Sequence, residues 1–282
     1  MKDRYSLAYS PCPNDTYIFA ALTNGLLEGV PHVDVVLDDV EALNLAATQG
    51  AHELTKVSYG AIPRLLDRYR ILRAGGALGR GCGPLLIAKP GAGGAAAPLA
   101  TFARAKIAIP GRMTTAFMLL RLALGGEPDA VEMRFDRIVD AVADGSVDAG
   151  LIIHESRFTY QARGLASAVD LGDWWEAQTG TPIPLGAILV RRDIGDDDAH
   201  ALNAAIARSL AFARAHEDAI IDYVRAHAFE MDERVMRAHI ALYVNEFSDD
   251  VGAEGIAAID TLFARARAAG LLDGATVPEF AG

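Results

Sequence analysis

Short apolar runs, each closed by Gly, Pro, Ser, Asn or Asp, alternate through most of the chain with stretches of helical spacing. Such alternation is the signature of an α/β sheet covered by helices. It predicts strands at Tyr5–Tyr9, Val33–Leu37, Leu54–Val57, Tyr69–Leu72, Leu85–Ala88, Lys106–Ile109, Val131–Phe135, Ala149–Ile153 and Ile188–Arg192. Between them the pattern predicts helices at Tyr17–Leu27, Asp38–Thr48, Tyr59–Asp67, Ala116–Leu124 and Asp136–Ala143. After Arg192 the strands stop, and Asp198–Ala215, Glu217–Ala228, Asp232–Val244 and Glu254–Ala269 read as consecutive helices. Two grammars imply two bodies. The expected organisation is a discontinuous first α/β lobe of residues 1–88 and 189–282, with residues 89–188 inserted as a second α/β lobe. The Gly/Ala-rich stretch Gly91–Ala97 reads as a surface insertion or linker without side-chain chemistry.

Polar chemistry gathers where strands end. Ligands in open α/β sheets sit beyond the carboxyl ends of strands. The buried-strand pattern Ala149–Ile153 runs directly into His154, Glu155, Ser156 and Arg157. A lone histidine there is more often a satisfied core or capping residue, so the other strand ends must decide. Asn14 and Asp15 follow the first strand, where either can also cap a helix. Lys56, Val57 and Ser58 close the third strand. Thr114 and Thr115 stand at a helix entrance, where hydroxyls and free amides suit an anionic or polyhydroxylated ligand. Glu155 is expected to point away from His154, because neighbours on an extended chain face opposite sides. Trp174 and Trp175 read as core, with a cleft wall as the alternative. The glycine-rich turn Gly75–Gly83 is not a phosphate loop, since Cys82-Gly83 stands where Lys-Ser/Thr would be needed.

Bulk properties narrow the partners. A formal net charge of −11 over 282 residues removes the broad attraction to phosphate that nucleic acid or an anionic membrane requires. A hydrophobic content of 51% excludes disorder. Cys12 and Cys82 are too few for a disulfide framework or a multi-cysteine metal site. No apolar run reaches the roughly 18 residues of a membrane span, and the N-terminal segment lacks the apolar core of a secretory signal. A cytoplasmic protein with a small-molecule substrate, no membrane and no metal is expected. A zinc-protease HExxH would need histidine where Phe158 stands, and no G-x-S-x-G elbow occurs.

Taken in order, SPCPNDT (Ser10–Thr16), TKVSYGA (Thr55–Ala61), GGALGRGCGPL (Gly75–Leu85), IPGRMTTAF (Ile109–Phe117), LIIHESRFTY (Leu151–Tyr160) and IPLGAIL (Ile183–Leu189) resemble the motifs of the 1,4-dihydroxy-6-naphthoate synthase family of the futalosine route to menaquinone. The likeness spans nearly the whole chain and includes Trp174-Trp175 and Tyr243-Val244-Asn245. It implies a two-lobe fold like the type II periplasmic binding proteins, with the ligand in the cleft between lobes. It also implies a cofactor-free lyase that cleaves cyclic dehypoxanthine futalosine. The family's proton acceptor falls on His154, whose imidazole, with an ordinary pKa near 6.5, suits a base at neutral pH. Its substrate contacts fall on Lys56, Val57, Ser58, Thr114 and Thr115, with Asn44 as a further contact. Asn14, Asp15 and Arg157 are expected near the cleft, and Arg80, Arg112 or the amides near Thr114 are candidates for holding a carboxylate. The alternatives are a non-catalytic solute-binding protein for a small carboxylate and the sister chorismate dehydratase, against which the HES and paired-threonine motifs argue.

Overall fold

The computed structural model describes residue 2 and residues 4–91, 98–228, 232–274 and 277–282. Most of the expected insertion, residues 92–97, lies outside the described residues. In chain order the elements are β1 (Arg4–Tyr9), α1 (Pro13–Thr23), β2 (His32–Leu37), α2 (Val40–Thr48), β3 (Leu54–Ser58), β4 (Tyr69–Leu72), β5 (Ala77–Gly79), β6 (Leu85–Ala88), β7 (Lys106–Ile109), α3 (Thr115–Leu124), β8 (Asp129–Glu132), α4 (Phe135–Asp144), β9 (Ala149–Ile152), α5 (Ser156–Thr159), β10 (Ala166–Asp170), α6 (Leu171–Thr179) and β11 (Ile183–Arg191). The helical end follows as α7 (Asp196–Ala215), α8 (Glu217–His227), α9 (Glu233–Tyr243), α10 (Glu246–Asp249) and α11 (Gly252–Ala268), closed by the short β12 (Phe280–Ala281).

These strands form two sheets among the described residues. One runs β12-β4-β11-β3-β1-β2 with β5 also on β11; the other runs β10-β6-β9-β7-β8. Both are mixed. β1 lies parallel to β2 and β3, whereas β11 is antiparallel to β3, β4 and β5. In the second sheet β7 is parallel to β8 and β9, and β6 is antiparallel to β9 and β10. Sheet membership shifts the crossing points away from the expected 88/89 and 188/189: Leu85–Ala88 pairs in the second sheet, and β11 is in the first sheet from Ile183 onward.

The core explains the placement. All five residues of β3 are buried, the pattern of a central strand covered on both faces. The α4 helix turns Phe135, Ile138 and Val142 onto β9, the i, i+3, i+7 spacing of an amphipathic helix. Helices α7 and α8 pack on α1, so that Leu202, Ile206, Leu210 and Val224 share one core with Tyr5, Leu7 and Tyr9. No described helix is long and apolar enough to cross a membrane.

Local chemistry moved several predicted elements. The helix expected over Tyr59–Asp67 shrinks to a 3-10 turn at Ile62–Arg64, since Pro63 lacks the amide a longer helix would need. The α1 helix begins at Pro13, favoured at a first helical position, so Asn14 and Asp15 lie inside its first turn instead of capping it. Phe135, expected to end a strand, opens α4. Trp174 and Trp175 lie on α6; Trp175 is fully buried and donates its indole N–H to Pro182 O at 3.1 Å, a core residue.

Candidate active site

A cavity of about 90 Å³ between the two sheets gathers the ends of these elements. From the first sheet and its helices come Ser10, Asn14, Asp15, Lys56, Val57 and Ser58. The second sheet contributes Thr114, Thr115 and His154, and the C-terminal helices contribute His239 and Tyr243. Eight of the expected residues therefore meet on one wall: His154, Lys56, Val57, Ser58, Thr114, Thr115, Asn14 and Asp15.

The floor of the site is a buried ion pair. Lys56 Nζ donates to Asp15 Oδ1 at 2.7 Å and to Gly75 O at 3.0 Å, with side chains 7% and 3% exposed. Asp15 also accepts from Ser10 Oγ at 2.7 Å and from Asn14 Nδ2 at 2.8 Å. Saturating a buried carboxylate in this way is what makes its burial tolerable; removing one partner of such a pair costs about 3–5 kcal/mol. Two of the three Lys56 protons are thus committed within the protein.

His154 follows β9 on a left-handed turn, φ 57°, the one positive φ among the described non-glycine residues. That turn overturns the expectation for Glu155. The chain is not extended there, and ligand atoms of Cys12, His154 and Glu155 all lie within 4.8 Å of one another. The Phe135 ring and the imidazole meet edge to face, with centroids 5.0 Å apart. His154 Nε2 is buried without a hydrogen-bond partner. Burial pushes its pKa down to about 4, an effect that Asp15 opposes and Lys56 reinforces. The imidazole is therefore neutral at pH 7, but well below the ordinary 6.5 expected for it. The Cys12–His154–Glu155 trio has donor types a soft divalent ion would accept. Binding one would first require the Cys12 thiolate, and burial together with Glu155 pushes that thiol up.

The two threonines are held in place by the chain itself. Thr114 Oγ1 caps α3, donating to Gly111 O at 2.8 Å and accepting from Phe117 N at 3.2 Å. Thr115 Oγ1 donates to Leu185 O at 2.7 Å and accepts from Gly60 N at 3.0 Å, stitching α3 to the first sheet. A second stitch runs from Met113 N to Glu41 Oε1 at 2.8 Å. Contact here is so close that a Cβ at Gly60 would meet Thr114 O at 2.7 Å.

Two expected contacts stand off the wall. Asn44 is fully buried behind Ser58, accepting Ser58 N at 2.9 Å and donating to Glu41 at 2.9 Å, so it positions Ser58. Arg157 turns to Gly83 O at 2.5 Å and Asp170 at 2.6 Å. Of the carboxylate candidates, Arg80 pairs with Glu254 and Arg112 with Glu127 and Glu132, and neither lines the cavity. Lys56 is the one lysine or arginine on the wall among the described residues. Sequence reasoning missed His239 as a site residue. On α9 it shares a buried face with Met236 and Tyr243, a spacing that reads as core.

A ligand space between two mixed sheets, with the chain passing twice from one sheet to the other, defines the periplasmic-binding-protein-like class, and this chain has that fold. The alkanesulfonate-binding protein SsuA of Xanthomonas axonopodis pv. citri superposes with a TM-score of 0.73 at 14% identity, over 97% of this chain and 95% of that one. A protein from Archaeoglobus fulgidus superposes more tightly, with a TM-score of 0.89 at 36% identity, over 96% of this chain and 99% of that one. The chain belongs to the menaquinone-biosynthesis family, whose profile matches residues 5–268. It is 52% identical to the 1,4-dihydroxy-6-naphthoate synthase of Thermus thermophilus, covering 97% of this chain and 98% of the relative. Identity to the enzyme of the same name from Streptomyces coelicolor is 45%, over 96% and 95% respectively.

Proposed function

We propose that the chain is a 1,4-dihydroxy-6-naphthoate synthase: a lyase that breaks cyclic dehypoxanthine futalosine into 1,4-dihydroxy-6-naphthoate and a pentose-derived fragment. The observation that carries this reading is His154, a half-buried neutral imidazole whose Nε2 is buried and unpartnered on the wall of the cavity between the sheets. It acts as general base. His154 removes a proton from the sugar-derived part, the electron pair breaks the carbon–carbon bond to the bicyclic part, and aromatisation of that ring drives the step. Lys56, Ser58 and the first turn of α3 at Thr114 and Thr115 bind the substrate, the helix amides there facing its polar groups. Residues 1–84 and 183–282 act as one lobe and 85–182 as the other, closing on the substrate to exclude water.

The test is incubation of the purified protein with cyclic dehypoxanthine futalosine and detection of the naphthoate by mass. The His154→Asn variant is expected to bind substrate with nearly unchanged affinity and to lose orders of magnitude in turnover. Near-normal turnover in that variant refutes the base assignment. Tight binding without product by the unmodified protein refutes the lyase and supports a solute-binding protein.

A further inference from the structure

His239 is fully buried on α9 and lies on the cavity wall, facing His154 with ring planes 16° apart and centroids 6.4 Å apart. Its tautomer is dictated from the floor of the site. The Asp15 carboxylate only accepts, so Asn14 must turn its amino group toward Asp15 Oδ1, at 2.8 Å. The Asn14 carbonyl oxygen then faces His239 Nε2 at 2.9 Å. An acceptor in that place requires Nε2 to carry the proton. A neutral ring protonated on Nε2 presents a lone pair on Nδ1. That Nδ1 is buried and has no hydrogen-bond partner. Burial, and after it His154, push the pKa of His239 down, so the ring stays an acceptor.

Each of the two neutral imidazoles in the cavity leaves one buried nitrogen without a hydrogen-bond partner in the protein. The hydroxyls of Ser10, Thr114 and Thr115 and the amide of Asn14 direct their protons elsewhere, to Asp15, Gly111 O, Leu185 O and Asp15 respectively. A buried acceptor left unpaired costs about 1–3 kcal/mol, so a ligand that brings a donor is favoured over one that does not.

We propose that His239 Nδ1 is a substrate-binding acceptor that takes a hydrogen bond from a hydroxyl of the sugar-derived part of the substrate and holds that part against His154. The inference rests on the lyase reading above and adds to it the recognised group, a hydroxyl-bearing ring presented to two facing imidazoles.

Two near-isosteric variants separate the two ring nitrogens. In His239→Asn the side-chain amide reaches the Nδ1 position and can still accept, while the bond to Asn14 is lost. In His239→Gln the amide reaches the Nε2 position, keeping the partner of Asn14 and losing the acceptor. With cyclic dehypoxanthine futalosine, kcat/KM is expected to fall roughly tenfold or more in His239→Gln and by several-fold less than that in His239→Asn. A residue that only supports the core through Asn14 gives the opposite order; that order, or equal losses, overturns the proposal. If either variant fails to fold, ¹⁵N-histidine NMR of the full chain carrying His154→Asn decides instead. His239 must show the Nε2–H tautomer, and its Nδ1 resonance must shift when substrate is added; failure of either overturns the proposal. Turnover by the unmodified enzyme with the reversed order of variants would sink this inference alone. Absence of both turnover and binding would sink the lyase reading and this one with it.

Discussion

At the scale of the residue, His154 combines correct placement with an altered basicity. Its position at the end of β9 was legible, because a buried apolar run that stops at a histidine fixes where that histidine stands. Its proton affinity was not, since that depends on Phe135, Lys56 and Asp15, which chain spacing does not bring together. Burial holds the imidazole at about 4, so the proposed base stays unprotonated well below neutral pH in the free enzyme. Because kcat/KM reports ionisations of the free enzyme, its acid limb is expected to stay level from pH 7 to about 5 and to fall with an apparent pKa near 4. A limb centred at the ordinary value of about 6.5 would mean that the imidazole is solvated. His239 escaped notice for a different reason. A histidine spaced with Met236 and Tyr243 is indistinguishable from core until Asn14 is seen opposite its Nε2.

At the scale of elements, the meeting of α3 with the first sheet governs the cavity. The amide of Met113 and the hydroxyl of Thr115 are fastened to Glu41 and Leu185, across elements far apart in sequence. Paired threonines at a helix entrance were legible as a site feature. The second duty of Thr115 as a stitch was not, because it requires knowing that Gly60 and Leu185 arrive from the first sheet and its loops. Gly60→Ala tests the stitch. The added Cβ would meet the carbonyls of Met113 and Thr114 at 2.8 and 2.7 Å, and neither backbone atom can swing aside. We expect a loss of about 1–3 kcal/mol in stability by chemical denaturation and a weaker substrate affinity, as α3 is pushed off the sheet. Unchanged affinity and stability would show that the two sheets are not held at this point. Strand pairing carried a similar lesson. IPLGAIL was visible as a motif, but its pairing as one strand with β3, β4 and β5 moves the crossing point between the sheets.

At the scale of the molecule, alternating elements followed by helices gave the α/β architecture, while the exact crossing strands came from pairings no local pattern contains. Taking the imidazoles of His154 and His239 out of water has a global consequence. Both His154 and His239 have folded-state pKa values below the unfolded value near 6.5, so the unfolded chain binds more protons as pH falls past that point. Their contribution to stability is therefore fully present above about 6.5 and is lost as pH falls, the part due to His154, on the order of 3 kcal/mol, draining away toward about 4. Melting temperature is expected to drop between pH 7 and pH 5, and to drop less in His154→Asn; an equal drop in both proteins would exclude His154 as a source.

The left-handed turn at His154 sets activity against durability. A side chain with a Cβ is disfavoured at that backbone angle by about 1 kcal/mol, which glycine escapes. His154→Gly should accordingly melt higher than His154→Ala, although both lack the imidazole proposed as base; a lower melting point for the glycine variant would contradict a strained turn. A search for more heat-stable variants of this chain would then tend to converge on glycine at residue 154 and return sturdy protein without the proposed base, so such a search must be scored on turnover.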